Sequence, residues 1–334
     1  MTDHTAKVGV VVPIWNVAPY IERCVERLMT QTLDDMQFVF VDDASPDNSI
    51  DILNTVLARH PERATQVSVV HHEVNKGLPT ARKTGLGHIN AEYVAHCDSD
   101  DWCDPTMYEK MYLSAKSNDA DMVICDFYRT NGKKRFRRRN HEPADGDLVR
   151  GFLHRLFSPC VWTRLTRTEI YRQVDFPTEY YLEDWVQSTQ TQALCQVVNF
   201  LHEPLYYYRH NPNSLTKHLS ENSCDEGLRQ CMANFKFVED YVLSRNLAVA
   251  NDLIWMKFYV RFKLQGKLRQ RKGRNQYLST YPEINRHIFG CPYLSLQDKA
   301  SYLAIYLNLY PEFCRYVWPA VTQIKRLLSE PIKG

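Results

Sequence analysis

Tyr93-Val94-Ala95-His96-Cys97-Asp98-Ser99-Asp100-Asp101-Trp102 is an apolar run that stops abruptly in carboxylates. A short continuous apolar stretch suits a strand covered on both faces, as in a parallel sheet. Acids placed at its C-terminal end sit where open α/β sheets bind ligands. The same punctuation recurs upstream. Phe38 to Val41 ends in Asp42-Asp43, and Val8 to Val12 is stopped by Pro13. Val67 to Val70 supplies a further strand. Between these runs the period changes. Tyr20, Ile21, Cys24, Val25, Leu28 and Met29 fall on one face of a helix over Pro19 to Gln31, as the 3.6-residue repeat requires. Asp47, Asn48 and Ser49 offer caps for a second helix to about Arg59, with Ile52, Leu53, Val56 and Leu57 inward. Thr80 to Ile89 reads as a third. Strands alternating with helices predict βα units and a parallel sheet. A helix over Pro105 to Ser117 and a strand over Met122 to Asp126 continue the series, after which the pattern loosens.

Composition sets the outer limits. The chain has 334 residues, 44% hydrophobic and 24% charged, which is ordinary soluble usage and excludes fibrous, disordered and coiled-coil classes. Lys plus Arg is 41 against 39 for Asp plus Glu, a net charge of +2. That balance predicts no whole-surface nucleic-acid binding. Ten cysteines are scattered without a CxxC pair, so they read as buried free thiols in a reducing compartment rather than zinc or disulfide frameworks. The first residues lack a basic flank and apolar core, and no segment offers about 18 uncharged apolar residues. The expectation is a cytoplasmic protein, with membrane contact at most peripheral. No internal repeat or low-complexity segment is present.

The acidic loop is the centre of the chemistry. Carboxylates as dense as Asp98, Asp100 and Asp101 repel one another unless a cation joins them. Hard oxygen ligands suit Mg²⁺ or Mn²⁺, which proteins hold with one or two carboxylates while substrate phosphates complete the shell. Alone, such a loop also reads as a turn capping the helix near Pro105. Asp42-Asp43 closes a neighbouring strand, but no phosphate-cradling glycine loop accompanies it. Gly85-Leu86-Gly87 lies within a helical stretch and opens no GxGxxG, so dinucleotide and P-loop folds are disfavoured. A diphosphate would need a metal and basic groups such as Lys76, Arg82 or Arg209.

Several segments together carry a resemblance. Val10-Val11-Val12-Pro13-Ile14-Trp15-Asn16, Gln31-Thr32, Val41-Asp42-Asp43-Ala44-Ser45, Asn75-Lys76-Gly77-Leu78-Pro79-Thr80-Ala81-Arg82 and Asp98-Ser99-Asp100-Asp101-Trp102 follow in order. Trp162-Thr163-Arg164-Leu165, Glu183-Asp184-Trp185 and Tyr207-Tyr208-Arg209-His210 come after them. This series resembles family 2 glycosyltransferases over about residues 6 to 218. The resemblance implies a GT-A fold, that is, a Rossmann-like, mostly parallel central sheet flanked by helices. It also implies a nucleoside-diphosphate sugar, a divalent metal and inversion at the anomeric carbon. Pro13, Trp15 and Asn16 then fall at the nucleotide, Trp15 standing where the family usually has a Tyr stacked on uracil. Asp43 matches the carboxylate that accepts from the base imide, and Arg82 falls near the diphosphate. Asp98, Ser99 and Asp100 form the DxD, Asp100 nearer the metal and Asp98 nearer the ribose. Asp184 matches the catalytic base. Lys83 departs from the Asn common after the family's Ala-Arg. Trp162 to Arg167 and Arg209-His210 would line the acceptor or diphosphate side.

The implied activity is transfer from a UDP-sugar to a saccharide or lipid-linked saccharide acceptor in bacterial surface polysaccharide synthesis. Competing readings are a non-catalytic nucleotide- or glycan-binding module and a sugar-nucleotide pyrophosphorylase, whose glycine-rich basic loop has no counterpart in Val8 to Asn16. The expected division is a GT-A domain over 1–218 and a mainly helical extension over 219–334, with a homo-oligomer left open. In that extension Lys263, Lys267, Arg269, Arg271, Lys272 and Arg274 could place one basic helical face on an anionic membrane. Lys133 to Arg139 carries six basic residues in seven. It reads as a solvated hairpin or loop, with contact to an anionic donor or acceptor as the alternative.

Overall fold

The computed structural model describes residues 4–131, 134–209, 211, 224–262, 274–292 and 294–317. A nine-stranded sheet forms the centre. Strands β1 (Ala6–Ile14), β2 (Met36–Asp42), β3 (Val67–His71) and β4 (Ala91–His96) pair in the order 3-2-1-4, parallel throughout. Helices α1 (Ala18–Met29), α2 (Ser49–Leu57) and α3 (Leu78–Gly87) make the crossovers. Val8, Val10, Val12 and Ile14 pack with Ile21, Val25 and Leu28 of α1 on one face. Val11, Val39 and Val41 pack with Ala81 and Leu86 of α3 on the other. Both faces are covered, which is why these strands read as unbroken apolar runs.

Beyond β4 the pairing becomes mixed. After β5 (Trp102–Cys103) and α4 (Met107–Ser117), β6 (Met122–Thr130) lies antiparallel to β7 (Arg135–Arg138) and to β8 (Arg164–Arg167), but parallel to β9 (Val198–Arg209). β8 in turn lies antiparallel to β4, and β5 to β9. Within the basic run Arg135–Arg138 form an exposed strand, the second arm of a hairpin with β6, in keeping with the hairpin reading; Lys133 lies outside the described residues. Short helices α5 (Leu148–Leu153) and α6 (Thr168–Tyr171) lead to α7 (Glu183–Leu194).

Several boundaries differ from the sequence reading by a few residues, and two of them have a clear local cause. β1 runs through Pro13 to Ile14. Pro13 shares parity with Val11, whose carbonyl takes the Cys97 N–H at 3.0 Å. The missing proline donor therefore faces the side where β4 has already ended, and the strand loses no bond. α3 begins at Leu78, because Gly77 adopts φ +84° and Pro79 fits the first turn.

Among the described residues after β9 all long elements are helical. The helices Cys224–Ser244 and Ile254–Phe262 bury Leu228, Phe235, Val238 and Phe258 in one cluster with Met122 and Ile124 of β6 and Trp185 of α7. Among the described residues no helix is long and apolar enough to cross a membrane, and the described cysteines are free thiols, mostly buried. Of the candidate basic face only Arg274 lies in the described residues; Lys263 to Lys272 lie outside them, as does His210.

Candidate active site

The C-terminal ends of β1, β2 and β4 converge at one edge of the parallel half, and the candidate residues gather there. Trp15 follows β1 and is 42% exposed, a large ring partly open to solvent at the C-terminal end of that strand. Asn16 beside it takes φ +53°, and its N–H donates to Ser45 Oγ at 2.9 Å. Pro13 is buried within β1 and takes part in the sheet rather than facing the crevice. Asp43, 3% exposed, is already engaged. Its Oδ1 accepts from Lys76 N at 2.8 Å and contacts His72 Nδ1 at 2.7 Å, while Oδ2 accepts from Gly77 N at 2.8 Å. The carboxylate thus fixes the turn that launches α3. Oδ1 already has two partners, whereas Oδ2 keeps a second lone pair, so acceptor capacity remains on that oxygen.

Arg82 links the site across the chain. α3 buries it, 2% exposed, between two acids. One nitrogen donates to Asp98 Oδ1 at 2.7 Å and another to Glu183 Oε1. The end of β4 and the first turn of α7 are thereby tied together, and Asp184 is Glu183's neighbour. In the sequence Glu183 stands only within Glu183-Asp184-Trp185. Its role as Arg82's partner was detectable only as a second acid beside Asp184.

Electrostatics follow from this crowding. Burial is the main cause that pushes the Glu183 carboxyl up to about 7, against the pull of Arg82 and with the help of Asp184 and Asp98. Burial also raises Asp184, opposed by Arg82 and Arg164. The carboxylates Glu183 and Asp98 in turn hold Arg82 above its usual range despite its desolvation. His96, enclosed beside Tyr171 at a ring distance of 5.0 Å, is kept neutral by burial and then by Arg82's charge.

The acidic loop has its own supports. Asp100 Oδ2 accepts from Asn211 Nδ2 at 2.9 Å. Asp101 is buried, with Oδ1 accepting from Arg209 N at 2.6 Å and Oδ2 from Tyr206 Oη at 3.1 Å. Asp101 is therefore a structural tie between β9 and the loop, a partnership not visible in the sequence. Burial raises both Asp100 and Asp101, and neighbouring carboxylates raise them further. Ser99, between Asp98 and Asp100 in the chain, is buried as well. Among the described residues no three acid, His or Cys side chains converge as a preformed metal cage. Asp98 and Asp100 supply hard oxygens in excess of local positive charge, which fits a cation whose shell a substrate's phosphates complete. Trp162 and Arg164 are packed inside rather than lining an acceptor side. Trp162 stacks on Tyr206 at 4.3 Å, and Arg164 bonds Ser158 O at 2.7 Å and Ser188 Oγ.

Residues 9–181 match the family model described as glycosyl transferase family 2. The chain is 30% identical over 249 residues to a glycosyltransferase of Bacillus subtilis, EpsJ, described as uncharacterized, with 71% of each chain covered. Among solved structures it is similar to S. aureus TarS 1–349 in complex with UDP-GlcNAc, at a TM-score of 0.61 and 15% identity, covering 92% of this chain and 91% of that one. It is also similar to the mannosyltransferase PcManGT of Pyrobaculum calidifontis in complex with GDP-Man and Mn²⁺, at 0.56 and 15%, covering 92% and 87%. At that identity the structures share the fold, which is GT-A.

Proposed function

This chain belongs to glycosyl transferase family 2, and on that premise we propose that it transfers a sugar, with inversion, from a UDP-sugar to a saccharide or lipid-linked saccharide acceptor. The observation that carries the proposal is Arg82, which holds Asp98 and Glu183 together and so sets Asp184 beside the acidic loop. Similar folds holding UDP-GlcNAc in TarS and GDP-Man in PcManGT support a nucleotide-sugar donor. Trp15 and the Asp43 turn supply the stacking ring and acceptor that favour uracil.

Each residue type has a task. Trp15, partly exposed at the end of β1, stacks on the base. Asp184 takes the proton of the acceptor hydroxyl on the face opposite the leaving group, and its raised carboxyl brings the base nearer working pH. Arg82 stays charged under its paired acids and orients Asp98. Asp98 and Asp100 would hold Mn²⁺ or Mg²⁺, which when bound offsets charge on the departing diphosphate.

The test is Asp184→Asn. Transfer or slow hydrolysis of a UDP-sugar is expected to fall by about 10² to 10⁴, while UDP affinity with Mn²⁺ stays at the parent value. Unchanged turnover would assign the base elsewhere. A parent protein that binds UDP without any turnover over a panel of UDP-sugars would point to a binding module.

A further inference from the structure

The exposed strand β7 does not stand alone. Strand pairing sets Trp102, Tyr207 and Tyr128 side by side across β5, β9 and β6. Trp102 and Tyr207 stack at 5.4 Å with an 8° interplanar angle, and Tyr207 and Tyr128 stack at 5.4 Å. Guanidinium groups lie over this ladder. Arg23 of α1 sits 3.6 Å from the Trp102 ring, Arg209 5.2 Å from the same ring, and Arg135 of β7 5.0 Å from Tyr207. Arg23, Arg27 and Arg135 are exposed, and none forms an ion pair among the described residues. Arg137 differs, since Asp126 neutralises it at 2.8 Å.

Gathering unpaired arginines costs free energy through mutual repulsion. Arg23 is held below its usual range, first by partial burial and then by Arg209, Arg27 and Arg135. The nearby acid Asp104 forms no ion pair with them among the described residues; its Oδ1 accepts from the Thr106 N–H and hydroxyl. The aromatic faces hold the guanidinium planes in place, leaving forks suited to phosphate oxygens. The cluster also adjoins the site. Trp102 follows Asp101, and Arg209 N is bonded to the Asp101 carboxylate.

We infer that this arginine-on-aromatic face binds phosphate carried by the acceptor, so that the acceptor is a phosphate-bearing saccharide or polyol rather than a neutral glycan. The inference rests on the transferase reading above, because it places the acceptor's anion beside the acidic loop. A base-stacking role fits less well. β9 lies between β5 and β6, so Tyr207 has a ring stacked on either side and offers no open platform.

The test uses the full chain saturated with UDP and Mn²⁺, which fills the donor site, and a glycerol phosphate oligomer as probe. Binding is expected to weaken as salt rises and to be absent for polyglycerol without phosphate. Arg23→Ala combined with Arg135→Ala, and separately Arg135→Glu, should each weaken it on the order of ten-fold or more while leaving UDP affinity unchanged. Equal oligomer binding by parent and both variants overturns the inference. So does arginine-dependent binding confined to phosphatidylglycerol vesicles, or tighter binding of single-stranded oligouridylate. A parent that fails to bind UDP in its own titration refutes the transferase reading instead, whatever the oligomer does.

Discussion

Arg82 is enclosed by α3 and paired to Asp98 and Glu183, so truncating it would strand two acids in a poorly solvated site. Removing one partner of a buried ion pair costs about 3 to 5 kcal/mol. Urea denaturation of Arg82→Met should show a loss of that size, and Arg82→Lys should recover only part of it, because one ammonium cannot fork to two carboxylates. Full recovery by Lys would mean that charge alone matters there. Asp98, Asp100 and Asp184 stand out in the sequence as acids at a strand end and a helix start. The division of labour between Glu183 and Asp184 does not, since adjacent acids look alike until a tertiary partner selects one. Asp43 shows the same limit. Its position after β2 is legible, but its grip on the Lys76 and Gly77 amides depends on how the β3–α3 turn folds back.

Period and punctuation made the parallel half readable: α1, α2, β2, β3 and β4 lie where apolar spacing puts them. Contacts that decide their fit are less visible. A Cβ on Gly85 of α3 would fall 2.4 Å from Val11 Cγ1 of β1, so Gly85→Ala must push the helix off the sheet and should cost about 1 to 3 kcal/mol. A variant as stable as the parent would show that α3 can shift freely. His60, just after α2, joins α1 through Glu26 at 2.9 Å. That hydrogen bond is the main cause raising the His60 pKa, with Glu62 adding. Protonation is therefore favoured in the folded state, and the stabilisation is complete below the unfolded value of about 6.5 and lost as pH rises through the folded one. The Tm gap between parent and His60→Gln should narrow from about pH 5 to pH 8. A gap independent of pH would assign it to packing.

A division at residue 218 follows the end of the motif series, yet the helices beyond Cys224 share a core with β6 and α7. The two parts should melt together, giving one calorimetric transition; two resolved transitions would show separate domains. The mixed half of the sheet was hidden because β8 inserts between β4 and β6, separating strands that sequence order would make neighbours. The basic run was legible, but its aromatic companions come from β5, β6 and β9 and meet only through strand pairing. The central proposal is nucleotide binding at the β1, β2 and β4 edge. The most direct measurement is calorimetric titration of UDP, GDP, CDP and UTP, with Mn²⁺ and again with excess chelator, into the parent and Asp100→Ala. The site described here predicts binding that is selective for UDP, requires metal and is lost in Asp100→Ala. UDP bound as tightly with chelator, or by Asp100→Ala, would contradict it, and a preference for UTP would favour a pyrophosphorylase.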